Sequence, residues 1–188
     1  MELIKKRSTA FIVLIIVIIF GTLFGVHRSV GKETEKIEGQ FYSGVKLDNY
    51  TQASIGDMLD ERIRNSMGAI SLAANYDELQ IETESLRKAR EKLISAHTIP
   101  EKYLANESLT DAAHAMRKAL EQLPVSERDS EGFMMYLDDI ESAKMVIDSS
   151  RYNTLVQEFY NHTLREFPLN ILHRLAFCKY PDYFNVEG

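Results

Sequence analysis

The chain has one cysteine, Cys178, and no tryptophan. A single cysteine excludes an internal disulfide, so the fold must stand on packing alone. Strand signals are absent, and no internal repeat or low-complexity segment occurs. There is no Glu-x-x-His, which a di-iron helical bundle needs on each of two helices. Asp111-x-x-His114 is the near match, and one copy cannot build such a site. No Gly-x-Ser-x-Gly nucleophile elbow and no Gly-rich phosphate loop is found. Cys178 lies among Phe177 and Tyr180, with nothing in the sequence to activate it. These gaps set the expectation of no enzyme, no catalytic residues, no cofactor and no bound metal.

Charge narrows the field further. The net charge is −6, and Lys5, Lys6 and Arg7 outweigh Glu2 by two in the first 26 residues. The remainder therefore carries −8. An acidic body excludes nucleic acid as a partner, since that needs a basic footprint.

What is present begins with residues 10–26, a run without charge. As a helix it extends roughly 25 Å, near the lower limit for crossing a bilayer. Lys5, Lys6 and Arg7 precede it, so the positive-inside rule predicts residues 1–9 in the cytoplasm and the body translocated. The expectation is a single-pass signal anchor over residues 10–30 in the cell membrane, with the lipid bilayer as first partner. A cleaved signal peptide is the rival, although residues 21–29 offer a poor cleavage site. Residues 31–44, with Gly31, Gly39 and Gly44, read as a linker or a frayed continuation of that helix.

The body, residues 45–188, reads as an all-α antiparallel bundle of about four long helices. The first is expected over residues 45–74, burying Ile55, Leu59, Ile63, Met67 and Ile70. Gly56 and Gly68 weaken it but permit close helix approach. The second, over 77–97, turns Leu79, Leu86, Ala89, Leu93 and Ile94 inward, and Thr98-Ile99-Pro100 ends it. The third, over 108–123, uses Leu109, Ala112, Met116 and Leu120, with Ser108 or Thr110 as cap. The fourth, over 130–167, buries Phe133, Leu137, Ile140 and Ile147. Its stripe then jumps five residues to Tyr152, which shifts the buried face or marks a break.

The last third is the densest in placed aromatics and amides. Tyr152, Val156, Phe159 and Thr163 make one helical stripe, and Asn153, Tyr160, Leu164 and Phe167 the next. Asn153 falls in this apolar zone, where a buried amide must find a partner. Pro168 stops the helix, and Asn170 is placed to cap a short turn over 171–177. Glu158, His162 and Glu166 are four apart, which allows either a solvated ladder or a pH-sensitive contact. Phe177, Tyr180, Tyr183 and Phe184 close the bundle end or form a docking surface.

The pattern Tyr152-Asn153-x-x-Val156-x-x-Phe159-Tyr160-Asn161-x-x-Leu164-x-x-Phe167-Pro168-x-Asn170 resembles the C-terminal signature of the LemA family. The tail, Leu175-Ala176-Phe177 and Tyr183-Phe184, is similar too. Upstream, Ile63-Arg64-Asn65 and Ala89-Arg90 echo it, with Arg64 in place of the family's proline. The resemblance implies a bacterial membrane-anchored helical bundle without an established enzymatic activity. The expected function is an interaction or scaffold module at the cell envelope, binding other membrane or envelope proteins, with a homo-oligomer left open. The alternative is an envelope sensor that passes a ligand or pH signal to a membrane partner.

Overall fold

The computed structural model describes residues 2–185, so Met1 and the 186–188 tail assigned to the bundle lie outside it. The protein is an all-α helical bundle with one long apolar N-terminal helix. The chain forms two compact units. One holds the residues up to Glu38 together with Thr154–Pro181; the other holds Gly39–Asn153 and the tail from Asp182.

Helix α1 runs Glu2–Ser43. Its large apolar side chains from Phe11 to Phe20 are open to the surroundings. By length and composition this helix can cross a membrane. Past the apolar run the pattern changes to an amphipathic one, with Val30, Thr34 and Ile37 buried at steps of four and three. Residues 31–43 are therefore the continuation of that helix and not a linker, and they are packed where a frayed end was the expectation. Gly31 and Gly39 face open space, and one packed stripe outweighs their weak propensity. Gly44 ends the helix at φ +83, and a Cβ there would stand 2.1 Å from the Gln52 carbonyl oxygen.

The first unit also contains most of α6 (Tyr152–Glu158), a π turn (Phe159–Thr163) and α7 (Leu169–Leu175). The π turn changes the register on which the Glu158–His162–Glu166 spacing depends. Helix α7 begins two residues earlier than the spacing predicts, and Pro168, not Asn170, stands at its N-cap without a side-chain bond. Asn170 sits inside the first turn and is exposed. Two side chains of α1 hold the segment after α7. Thr34 Oγ1 donates to the Lys179 carbonyl at 2.9 Å, and Lys179 Nζ meets Glu38 at 3.1 Å.

The second unit is built on four helices: α2 (Ile55–Ala73), α3 (Gln80–Ser95), α4 (Ile99–Leu120) and α5 (Glu127–Asp148). Each packs on the next, and α2 packs on α5 to close the ring. The short connections make sequence neighbours antiparallel. Three N-caps set the starts. Ser54 accepts from the Asp57 amide, Ser126 accepts from the Asp129 amide, and Thr98 with Glu101 forms a reciprocal capping box.

The boundaries differ from the sequence expectation in three places. Residues 45–54 form a tight turn joined by a Lys46–Thr51 bridge instead of the first turns of α2. Pro100 lies in the first turn of α4 and starts that helix, because proline is welcome where the amide has no partner anyway. Thr110 is therefore interior to α4 and caps nothing. The long fourth helix is broken after Asp148, and Gln52 clamps the break from both sides. Its Nε2 donates to the Ser149 carbonyl at 2.9 Å, and its Oε1 accepts from the Arg151 amide at 3.0 Å.

Leu109, Ala112, Met116 and Leu120 are buried as their spacing predicts, as are Phe133, Leu137, Ile140 and Ile147. Helix α2 is rotated by about one residue. It buries Ile55, Leu59 and Ile70 as the spacing predicts, but Arg62, Ser66, Ala69 and Ala73 with them, while Ile63 is half-buried and Met67 stands exposed; Ile94 of α3 is also exposed. Gly68 faces α5, where an added Cβ would lie 2.5 Å from the Tyr136 ring.

Candidate functional site

Two groups of hydrogen-bonded polar side chains are built into the second unit. The first follows from the rotation of α2, which carries Arg62 into the bundle at 0% exposure. Its Nη1 donates to the Asn106 carbonyl at 3.2 Å and also meets Asn106 Oδ1. Nη2 donates to Thr110 Oγ1 at 2.8 Å, and that hydroxyl donates back to the Asn106 carbonyl. Nε has no hydrogen-bond partner among the described residues.

Burial pushes the Arg62 pKa down to about 10, against the opposing pull of Glu141, Glu107 and Asp148. Around this core the polar seam continues to the surface. Lys144 reaches Asp148 at 2.7 Å and Glu107 at 3.8 Å. Burial disfavours its charge, but the Asp148 bond and Glu107 outweigh that and raise its pKa. His114, the near match to a metal motif, instead pairs with Glu141 at 3.2 Å across α4 and α5. The seam ties α2 to α4 by directed bonds to a cation that no ligand can reach. Its chemistry is that of register, since slipping one turn would strand a buried charge.

No hydrophobic count finds Arg62. Positions 59, 62, 66, 69 and 73 are helically spaced, but four of them hold Arg, Ser and two Ala, so apolar periodicity selected the neighbouring stripe. Asn106 and Thr110, four apart on α4, are the signal that was present.

The second group involves the signature residues. Asn153 Nδ2 donates to the Phe184 carbonyl at 3.0 Å, and the Phe184 amide donates to Asn153 Oδ1 at 2.8 Å. Tyr152 is fully buried, and its hydroxyl donates to the Asp182 carbonyl at 2.8 Å. Phe184 is buried as well, with ring centroids 5.5 Å from Phe41 and 5.3 Å from Tyr103.

In the first unit Phe159 is buried, and the half-buried Tyr160 donates its hydroxyl to the Pro181 carbonyl at 3.3 Å. The Tyr180 ring lies 6.0 Å from Tyr160, and its hydroxyl meets His173 Nδ1 at 2.9 Å. Tyr183, in the second unit, is half-buried. Cys178 is partly covered, and burial raises its thiol pKa, away from the reactive thiolate.

The remaining candidates point outward. Asn161, Pro168 and Asn170 are exposed, and so are Phe167 at 82% and Phe177 at 88%. Phe167 is thus not part of the buried stripe its spacing implied, because the π turn and Pro168 end the helix before it. The aromatic tail divides accordingly: Phe184 closes the second unit, Tyr180 belongs to a hydrogen-bonded cluster, and Phe177 is free of packing.

No family model, curated protein or solved structure matches the chain. Fold and sites together define an all-α helical bundle that carries one helix long and apolar enough to span a membrane.

Proposed function

We propose that this protein is a membrane-anchored, LemA-like interaction or scaffold module of the bacterial cell envelope, and not an enzyme. The observation that carries the reading is α1. Its apolar run is bare from Phe11 to Phe20, and the same helix continues into a packed amphipathic stripe at Val30, Thr34 and Ile37. Exposing that much apolar surface to water would be costly, and a bilayer removes the cost. The basic residues before the run orient the body outward from the cytoplasm. The LemA resemblance rests on the signature residues themselves, and the bonds from Tyr152, Asn153 and Tyr160 to the tail give those residue types a structural reason. Other envelope proteins are the proposed partners, with self-association as the simplest form.

In-cell photocrosslinking from exposed positions on α3 and α4, followed by mass spectrometry, tests this. Site-specific adducts to a membrane or envelope protein, or to a second copy, support the module. Adducts absent at every position, together with turnover of a substrate by the purified protein, would replace it with an enzyme.

A second reading, an envelope sensor, is favoured by one observation. A recess of about 240 Å³ touches Asp148, Ser150 and Asn153 at the break between α5 and α6. A small polar ligand held there would act on the one interruption in the bundle that Gln52 clamps.

A further inference from the structure

The first unit leaves a second apolar surface bare, apart from the span. Phe167 comes just before α7, Ile171 and Leu175 lie four apart on it, and Phe177 comes just after. Their exposures are 82%, 55%, 57% and 88%. Within one short segment these four apolar side chains stand exposed, uncovered among the described residues of the unit. Phe177 is also held at φ +50, a left-handed backbone that a bulky residue rarely adopts and that glycine usually supplies after a helix. Its ring gains no packing in return.

The position of this stripe along α1 says what covers it. His27 is the first residue after the apolar run, and its Nδ1 lies 2.9 Å from the Ala176 carbonyl oxygen. Phe177 is therefore level with the point where the span ends. Thr34, about 10 Å further along the helix, holds the Lys179 carbonyl. Lys179 in turn reaches Glu38. From Ala176 onward the chain climbs away from the span, so the C-terminal end of α7 is the part placed beside it. Phe24, one turn before His27, is itself 68% exposed. Arg28 and Lys32, within five residues of His27, and Arg174, two residues before Ala176, are exposed, a placement that suits anionic headgroups.

We propose that α7 and its flanks are an interfacial membrane contact: Phe167, Ile171, Leu175 and Phe177 insert into the headgroup–acyl boundary of the leaflet from which α1 emerges. The occupant is the lipid surface. A segment that lies in the interface beside a spanning helix fixes the rotation and tilt of that helix, as interfacial anchors do. This inference rests on the anchor reading, and its test separates the two.

Because the chain lacks tryptophan, one substitution gives a unique fluorophore. The full chain carrying Phe177→Trp, and separately Phe20→Trp, is reconstituted into vesicles of phosphatidylcholine and phosphatidylglycerol. The vesicles carry bromine either near the headgroup end or near the methyl end of the acyl chains. The expected result for Phe177→Trp is a blue-shifted emission, quenched most by the shallow bromines, with Phe20→Trp quenched by the deeper ones. Emission of a water-exposed indole from Phe177→Trp, with Phe20→Trp still quenched, overturns the interfacial contact and leaves the anchor standing. Blue-shifted emission that no bromine quenches means a protein covers the stripe, which also overturns it. If Phe20→Trp is unquenched while Phe177→Trp is quenched, the stripe binds lipid and the spanning helix is wrong. With neither quenched, both readings fall. Ile171→Ser with Leu175→Ser, both on exposed positions, should return the Phe177→Trp emission toward that of water while the circular dichroism is unchanged.

Discussion

Asn153 and Phe184 exchange two hydrogen bonds, amide side chain to backbone in both directions, at 3.0 and 2.8 Å. An asparagine is the shortest side chain that offers a donor and an acceptor in the geometry of a peptide unit, so it imitates one rung of a strand pair. It fixes the tail on the start of α6 in the second unit, where Phe184 then seats its ring against Phe41 and Tyr103. Asn153→Ala removes both partners of a half-buried backbone unit. The expected loss is about 1–3 kcal/mol in urea unfolding. Asn153→Asp keeps the acceptor and loses the donor, and it should fall between the two.

Arg62→Ala should be among the most damaging single changes in the bundle. It opens a cavity and strands Asn106 and Thr110 in the interior, a combination worth roughly 3–5 kcal/mol for a broken buried polar set. The pair Arg62→Met with Asn106→Leu removes the cation and its amide acceptor together, while Thr110 keeps its bond to the residue 106 carbonyl. It should recover much of that loss, so the two sites are strongly non-additive in a double-mutant cycle. Additive single and double variants would mean the side chains do not meet.

Gly68→Ala sets two effects against each other. Alanine is the better helix former by about 1 kcal/mol, but its methyl would enter the Tyr136 ring. Overpacking of this kind costs roughly 1–3 kcal/mol, so the variant should be less stable on balance. Tyr136→Leu in the same chain should relieve it, as thermal melts of the single and double variants would record.

Two carboxylates give the acid limb of the stability profile. Backbone bonds from Thr98 and His97 hold Glu101 below its usual value of 4.5, and the Tyr76 hydroxyl at 2.6 Å holds Asp129 below 3.8. A carboxylate whose folded pKa is lowered stabilises at neutral pH, and that contribution fades as pH falls through the folded value. Stability should therefore decline below about 4.5. Glu101→Gln and Asp129→Asn should each flatten that decline while lowering stability at pH 7.

Much of the fold was legible because the informative residues were apolar and regularly placed. Leu109, Ala112, Met116 and Leu120 identify their face by spacing alone, as do Phe133, Leu137, Ile140 and Ile147. The step of five from Ile147 to Tyr152 marked the place where α5 ends. Pattern reading failed where a polar or small residue held a core position. Arg62, Ser66, Ala69 and Ala73 bury a face that Ile63 and Met67 outscore, and only a partner on α4 makes the arginine tolerable there. Pro100 was read as a stop because a proline ends one helix and starts another with equal ease, and the Thr98–Glu101 box decides between them. Residues 31–43 looked loose through their glycines, whereas Val30, Thr34 and Ile37 carry the helix through. Asn153 was visible as an amide needing a backbone or side-chain partner, and the partner is the Phe184 backbone, whose identity no side-chain pattern announces. Phe167 looked like a core aromatic and Phe177 like part of a bundle closure or a docking surface, and their exposure is a property of the π turn and the bend after α7.

A membrane-anchored module requires α1 to lie in the bilayer with its N-terminus retained. Alkaline carbonate extraction of membranes from cells expressing the full chain, followed by mass spectrometry of the protein recovered, measures both at once. The protein should stay in the membrane pellet with residues 4–7 attached. Release into the supernatant, with a mature N-terminus near residues 25–29, would contradict the account and make α1 a cleaved export signal.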